Sequence, residues 1–345
     1  MVEAFKARLL RSLMGLPSPM VSFLAGKQIQ VEGQGLAPET QLMLRLQRVA
    51  RETPAEDLPW AQAREALAMQ SRLVGGAQPI GSVRDLVIDG PRGPIGLRLY
   101  TPTERLRDEA IPTLLFIHGG GMVYGGEHGT HDAAARFLAE NSGVQLLSVD
   151  YRLAPEDPYP AGLDDCKTAF AWLVANAAAV SADVDRLAVG GDSAGGYFSA
   201  AVAVYAAEQG LPLAFQLLIY PATDFAERSA SRDTFGEGFF LTDKFMDQAK
   251  EAYVAGADPW DPDVSVLRRD AFPDGLAPAY VITAGFDPLR DEGEAYAHHL
   301  AEHGIPVRQR RYPSMIHGFF NIVGAGREAR SYNLETAAEL RRALA

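Results

Sequence analysis

Residues 186–205 read RLAVGGDSAGGYFSAAVAVY, the stretch that most restricts what this chain can become. A short apolar run meets a glycine-packed turn, and a helix pattern rich in small residues follows at once. The apolar run lacks the in–out alternation of a half-solvated strand, so it predicts a strand covered on both faces. Strands of that kind belong to mostly parallel sheets whose crossovers are helices.

The rest of the chain keeps this order. PTLLFIHG (112–119), VQLLSVDY (144–151), LAFQLLIYP (213–221) and APAYVITAG (277–285) read as buried strands. HDAAARFLAENSG, LDDCKTAFAWLVANAA and DEGEAYAHHLAEHG read as the helices between them, with VRQRRYP a shorter last strand and NLETAAELRRAL a final helix. SVRDLVIDG and IGLRLYTP, joined by PRGP, predict an antiparallel pair at the start of the sheet. The expected fold class is therefore α/β, with about eight strands in a mostly parallel sheet flanked by helices. Two regions break the rhythm. Residues 1–75 carry helix patterns such as PETQLMLRLQRVARE and WAQAREALAMQSRL. Residues 222–265 are too long for a simple crossover and hold one clear helix pattern, TDKFMDQAKEAYV. The predicted organisation is a cap segment (1–75), a core (76–221), a cap insertion (222–265) and the rest of the core (266–345), with both cap segments over the C-terminal edge of the sheet.

Composition excludes some classes. The 345 residues carry 44 acidic and 32 basic side chains, a net charge of −12. That opposes an extended nucleic-acid footprint and adhesion to anionic lipid. No run of eighteen apolar residues occurs, so no transmembrane helix is expected. The first 26 residues are interrupted by Lys6, Arg8, Arg11, Pro17 and Pro19, so they read as an amphipathic covering segment rather than a signal peptide. The lone Cys166 lies in a helix pattern and reads as a small buried thiol; without a disulfide framework, a cytoplasmic location is expected.

Gly191-Asp192-Ser193-Ala194-Gly195 matches G-x-S-x-G at a strand-to-helix turn. There a serine is held in a strained conformation with its hydroxyl above the sheet edge, and Gly191 and Gly195 relieve crowding on either side. The helix that follows points free N–H groups at the hydroxyl. A phosphate loop is the competing reading, but G-x-x-x-x-G-K-[ST] is absent. His118-Gly119-Gly120-Gly121 follows another buried strand, and such a loop can turn amides toward a developing alkoxide. Asp287 stands just after a strand, with Asp291 and Glu292 as alternatives in the first turn of the next helix. His317 follows the last strand. Serine, then acid, then histidine is the chain order of an α/β-hydrolase, not of chymotrypsin or subtilisin. His299 and His303 are spaced for a metal on one helix, but no third ligand is near, and a solvated face is the simpler reading.

HGGG (118–121), DYRLAPE (150–156), GDSAGG (191–196), DPLRDEG (287–293) and HGF (317–319) together resemble the hormone-sensitive lipase-like family of α/β-hydrolases, over roughly residues 82–323. The resemblance implies Ser193 as nucleophile, Asp287 as the acid that orients the base, and His317 as the base. It implies Gly120, Gly121 and Ala194 as oxyanion donors, with His118, Gly119, Gly191, Asp192 and Gly195 supporting the turns. It implies hydrolysis of short- to medium-chain acyl esters with no metal or cofactor, and a homodimer joined at the last strand's edge. An amidase or peptidase with the same residues, and a non-catalytic binding homologue, are the alternatives. Tyr197, Phe198, Phe239 and Phe240, with Phe235 and Tyr253, are candidate pocket aromatics because such rings suit an apolar acyl or alcohol group.

Overall fold

The computed structural model describes residues 2–50 and 53–345, without the side chains of 2–6; residues 1, 51 and 52, and with them the ends of the first segment's helix patterns, lie outside the described residues. Four helices open the chain: α1 (Val2–Met14), α2 (Ser18–Ala25), α3 (Pro38–Ala50) and α4 (Trp60–Gly75). A small ribbon that the sequence did not suggest, β1 (Gln30–Val31) and β2 (Gln34–Gly35), lies between α2 and α3.

The main sheet has eight strands: β3 (Ser82–Gly90), β4 (Gly93–Thr101), β5 (Ile111–Ile117), β6 (Gln145–Asp150), β7 (Ala182–Asp192), β8 (Phe215–Ile219), β9 (Ala279–Phe286) and β10 (Val307–Ile316). Their order is β10-β9-β8-β7-β5-β6-β4-β3. β3 and β4 pair antiparallel around a turn closed by Gly90 and Gly93, β4 runs antiparallel to β6, and all other pairs are parallel. The crossovers are α5 (Asp132–Ser142), α6 (Ala161–Ala175), α7 (Ala194–Glu208) and α10 (Arg290–Glu302), and α11 (Glu328–Ala343) closes the chain.

The sheet is covered on both faces, as its unbroken apolar strands demand. Leu115, Ile117, Val189 and Leu218 pack into one hydrophobic cluster, and Leu114, Phe116, Ala188 and Leu217 into another on the opposite face. Cys166 is fully buried within the first cluster. Helix α7 is buried nearly all round, which explains its small residues: it lies against the sheet under other helices.

Two elements are longer than their local patterns suggest. β10 runs ten residues because pairing with β9 holds it through a register shift between Tyr312 and Ile316. α11 starts at Glu328, ahead of the predicted residue 333, where its first turn accepts a cap from elsewhere: Glu39 on α3 takes the amides of Arg327 and Glu328. β10 forms one edge of the sheet, and its arginines Arg308, Arg310 and Arg311 pair with Glu339, Glu335 and Glu294.

Residues 222–265 carry two helices rather than one, α8 (Ala230–Phe235) and α9 (Asp243–Val254), each opened by a serine or threonine cap. α9 meets the N-terminal segment: Thr242 donates to Glu56, Lys244 pairs with Asp57, and Gln248 donates to the Glu56 carbonyl. Among the described residues no helix is long and apolar enough to cross a membrane.

Candidate active site

The site forms where strands end. In the β5–β7 ladder Ile117 pairs with Gly191, so the loop after β5 and the turn after β7 start side by side. The C-terminal ends of parallel strands are where open α/β sheets place ligands. Ser193 has φ 57° and ψ −121°, a region non-glycine residues seldom occupy, at a cost of about 1–3 kcal/mol. Surrounding bonds hold it there. Its amide donates to the Ile219 carbonyl at 2.9 Å, and its carbonyl accepts from Tyr197 and Ala222. Gly191 and Gly195 meet a close approach of backbone: a Cβ at either would fall inside the contact distance of the Ile117 carbonyl oxygen.

His317 Nε2 lies 2.9 Å from Ser193 Oγ, and His317 Nδ1 lies 2.8 Å from Asp287 Oδ2. Asp287 is completely buried, and its other oxygen accepts the Leu289 amide at 2.8 Å. With Nδ1–H donating to the carboxylate, Nε2 is left to accept the serine proton. The Tyr220 ring sits 4.5 Å from the His317 ring and restricts its tilt. The two alternative acids are engaged elsewhere. Asp291 accepts the Ser231 amide and Arg290, and Glu292 accepts the Thr223 amide.

Gly121 and Ala194 line the cleft with Ser193, and no acceptor among the described residues takes the amides of Gly120, Gly121 or Ala194. The Gly119 amide, by contrast, donates to Asp192 Oδ1 at 2.9 Å. Asp192 also receives His131 Nε2 at 3.0 Å and the Tyr220 hydroxyl at 3.3 Å. Burial alone would raise its pKa, but the His131 ring and the Gly119 amide hold it below the usual carboxylate value. An ionised Asp192 therefore staples the glycine loop to the serine turn. His118 stacks on Tyr151 at 4.3 Å and donates through Nδ1 to the Gly119 carbonyl. Burial, aided by the nearby His131, pulls its pKa down to about 3. It is a neutral side chain under the loop.

The cleft above Ser193 spans about 540 Å³ counted together with the solvent space at its mouth. Met122, Phe225, Leu241, Phe245, Met246 and Ala249 are among its lining residues. This corrects the expected pocket aromatics. Tyr197 and Phe198 are fully buried in the core: the Tyr197 hydroxyl donates to the Asp263 carbonyl, and Phe198 packs edge-on against Tyr151. A helix centred on a sheet turns these rings down, away from the mouth. Phe239 packs on Phe235 and Phe286 instead of lining the cleft, and Tyr253 is likewise core. Phe240 is exposed at the rim, its ring against Gly318 beside His317.

The cleft residues on α9 were missed although their 245, 246, 249 spacing marks one face of a helix. Two supports were not legible at all. His131 lies 61 residues from Asp192 in the chain. Arg64 of α4 donates to the Val123 and Ala154 carbonyls and pairs with Glu156 at 2.7 Å, bracing the glycine loop from the N-terminal segment. The stacked rings of Phe245 and Tyr124, 4.9 Å apart, with Trp60 beyond, tie α9 to the same loop. The His299 and His303 pair is engaged with backbone: His299 Nε2 reaches the Arg269 carbonyl, and both His303 nitrogens lie near carbonyls.

Glu292 is a buried carboxyl at the cleft floor whose pKa burial pushes up to about 8, with Asp224 and Asp287 adding to the shift. Its unfolded value is near 4.5. Between those values the unfolded chain has lost a proton that the folded chain keeps, so this group's contribution to stability declines as pH rises and levels off above about 8. Glu292→Gln keeps the acceptor for Thr223 and removes the titration. The variant is expected to gain on the parent as pH rises from 5 to 9, reaching on the order of 3 kcal/mol. Urea denaturation across that range measures the difference, and a difference independent of pH refutes it.

A family model described as alpha/beta hydrolase fold matches residues 114–321. The carboxylic ester hydrolase LipN of Mycobacterium tuberculosis is 39% identical over 334 residues, covering 93% of this chain and 88% of that protein. An ethyl acetate hydrolase of Pseudomonas putida is 35% identical, covering 83% of this chain and 91% of its own. Among solved structures, an ester hydrolase from the metagenome of Lake Arreo, complexed with a derivative of bipyridine phosphonate, is 43% identical, with a TM-score of 0.85, covering 89% of this chain and 98% of its own. The sheet order, the serine turn and these relatives agree, and the chain belongs to the hormone-sensitive lipase-like family of α/β-hydrolases.

Proposed function

We propose that this protein is a serine carboxylesterase acting on short- to medium-chain acyl esters. The observation that carries the reading is the hydrogen-bonded line from Ser193 through His317 to Asp287, at 2.9 and 2.8 Å, opening on a largely apolar cleft. The names of the relatives, ester hydrolases and an ethyl acetate hydrolase, support it.

In this reading His317 Nε2 takes the Ser193 proton as Oγ attacks the ester carbonyl. Asp287 holds the imidazole in the tautomer that exposes Nε2 and stabilises the imidazolium. The amides of Gly120, Gly121 and Ala194 donate to the tetrahedral oxyanion, each worth roughly 3–4 kcal/mol in the transition state. As the C–O bond breaks, His317 returns the proton to the departing alcohol. A water molecule then attacks the acyl-enzyme with His317 again as base, releasing the acid and restoring the serine hydroxyl.

The cleft supports a short acyl group. Helix α9 closes one side, and its Phe245 and Ala249 lie against Gly121. Hydrolysis of p-nitrophenyl esters from C2 to C16 is expected to peak at or below about C8 and to fall beyond C10. Rates that climb steadily beyond C10 would contradict the size of the pocket. Absence of hydrolysis at every length by folded protein would contradict the activity.

A further inference from the structure

Four ionisable side chains besides the reacting groups line the cleft: Asp224, Arg232, Lys250 and Glu292. Three are answered inside the protein. Arg232 donates to Asp243 and Asp247, each at 2.5 Å. Asp224 is paired with Arg268. Glu292 accepts the Thr223 amide, and burial keeps its carboxyl protonated near neutral pH. Lys250 is half-buried and has no hydrogen bond or ion pair among the described residues.

Its place on α9 matters. Phe245 and Ala249 come so close to the glycine loop that a Cβ at Gly121 would meet them at 2.8 and 3.0 Å. Lys250 follows Ala249 directly, so its side chain leaves the turn of α9 that packs on the glycine loop, and it lines the cleft. A cationic side chain that lines the cleft and has no hydrogen bond or ion pair among the described residues is a ready partner for an anion. The chain's net charge of −12 opposes anionic ligands at long range, but salt screens that field beyond about 8 Å, and at contact the local cation dominates.

We propose that Lys250 receives the free carboxylate of a monoester of a dicarboxylic acid, so that the preferred substrates carry a charged end along the cleft while their ester carbonyl sits at Ser193. This rests on the serine-esterase reading above. The reaction is unchanged: the ester C–O bond is cleaved by water to give the dicarboxylic acid and the alcohol.

The test uses matched pairs that differ only at the far end: monoethyl succinate against ethyl butyrate, monoethyl glutarate against ethyl pentanoate, and monoethyl adipate against ethyl hexanoate. Values of kcat/KM are followed by pH-stat. In the wild-type protein at least one monoester is expected to match or exceed its neutral partner. In Lys250→Met the ratio of that monoester to its partner is expected to fall about tenfold or more, mainly through KM, while Lys250→Arg retains it. A ratio unmoved in Lys250→Met, or wild-type ratios below about 0.1 for every pair, would overturn the assignment. Failure of the wild-type protein to hydrolyse any neutral ester would instead overturn the esterase reading beneath it.

Discussion

Ser193→Ala is expected to lower kcat/KM for p-nitrophenyl butyrate by about 10⁴-fold or more while leaving the melting temperature near that of the parent. The proposed roles make the serine hydroxyl the only atom that forms the acyl bond. In that proposal its removal leaves the amides assigned to the oxyanion and the binding cleft, which by themselves would give only a residual rate. Alanine at this position has the same Cβ and so the same backbone strain, φ 57°, which is why folding is expected to survive. An ester hydrolysis rate within tenfold of wild type would mean that another group is the nucleophile.

The second large effect falls on stability. Gly195→Ala is expected to destabilise the fold by several kcal/mol, enough to lose soluble protein or to depress the melting temperature by more than about 10 °C. The added carbon would overlap the Ile117 carbonyl oxygen and lie 2.6 Å from its carbon and 2.8 Å from the His118 carbonyl carbon. These are backbone atoms at the end of a central strand, and they cannot swing aside as a side-chain tip can. Gly129→Ala is the matched control, because the nearest atoms there are 3.6 and 3.7 Å away and its φ is not left-handed. Calorimetry on both variants separates a steric cost at the serine turn from a general cost of replacing loop glycine. Equal melting temperatures would show that the turn can relax.

Much of this molecule is legible in its sequence. The buried strands and their crossovers follow from apolar runs that have no solvated face, and the antiparallel start follows from the tight turn between β3 and β4. Ser193, Asp287 and His317 could each be picked out because each follows a strand at a position with distinctive neighbours. The supports were harder to see. Asp192 is marked only by its place beside the serine, and nothing local says that it holds the Gly119 amide and His131. The aromatics were misjudged for a related reason. Tyr197 and Phe198 are close to Ser193 along the chain, but a helix turn sends them into the core.

The sequence by itself determined the local units: which runs are strands, where the glycines allow a backbone to approach another, and which hydroxyl sits at a strained turn. Those properties are short-range, set by side-chain periodicity and by the absence of Cβ atoms. The tertiary structure decided which units meet. His317 comes within 2.9 Å of Ser193 across 124 residues because β8 and β9 order themselves between β7 and β10. Lys250 acquires its place because α9 packs across the glycine loop. Such juxtapositions depend on the burial of many apolar faces at once, and no single stretch of chain encodes them.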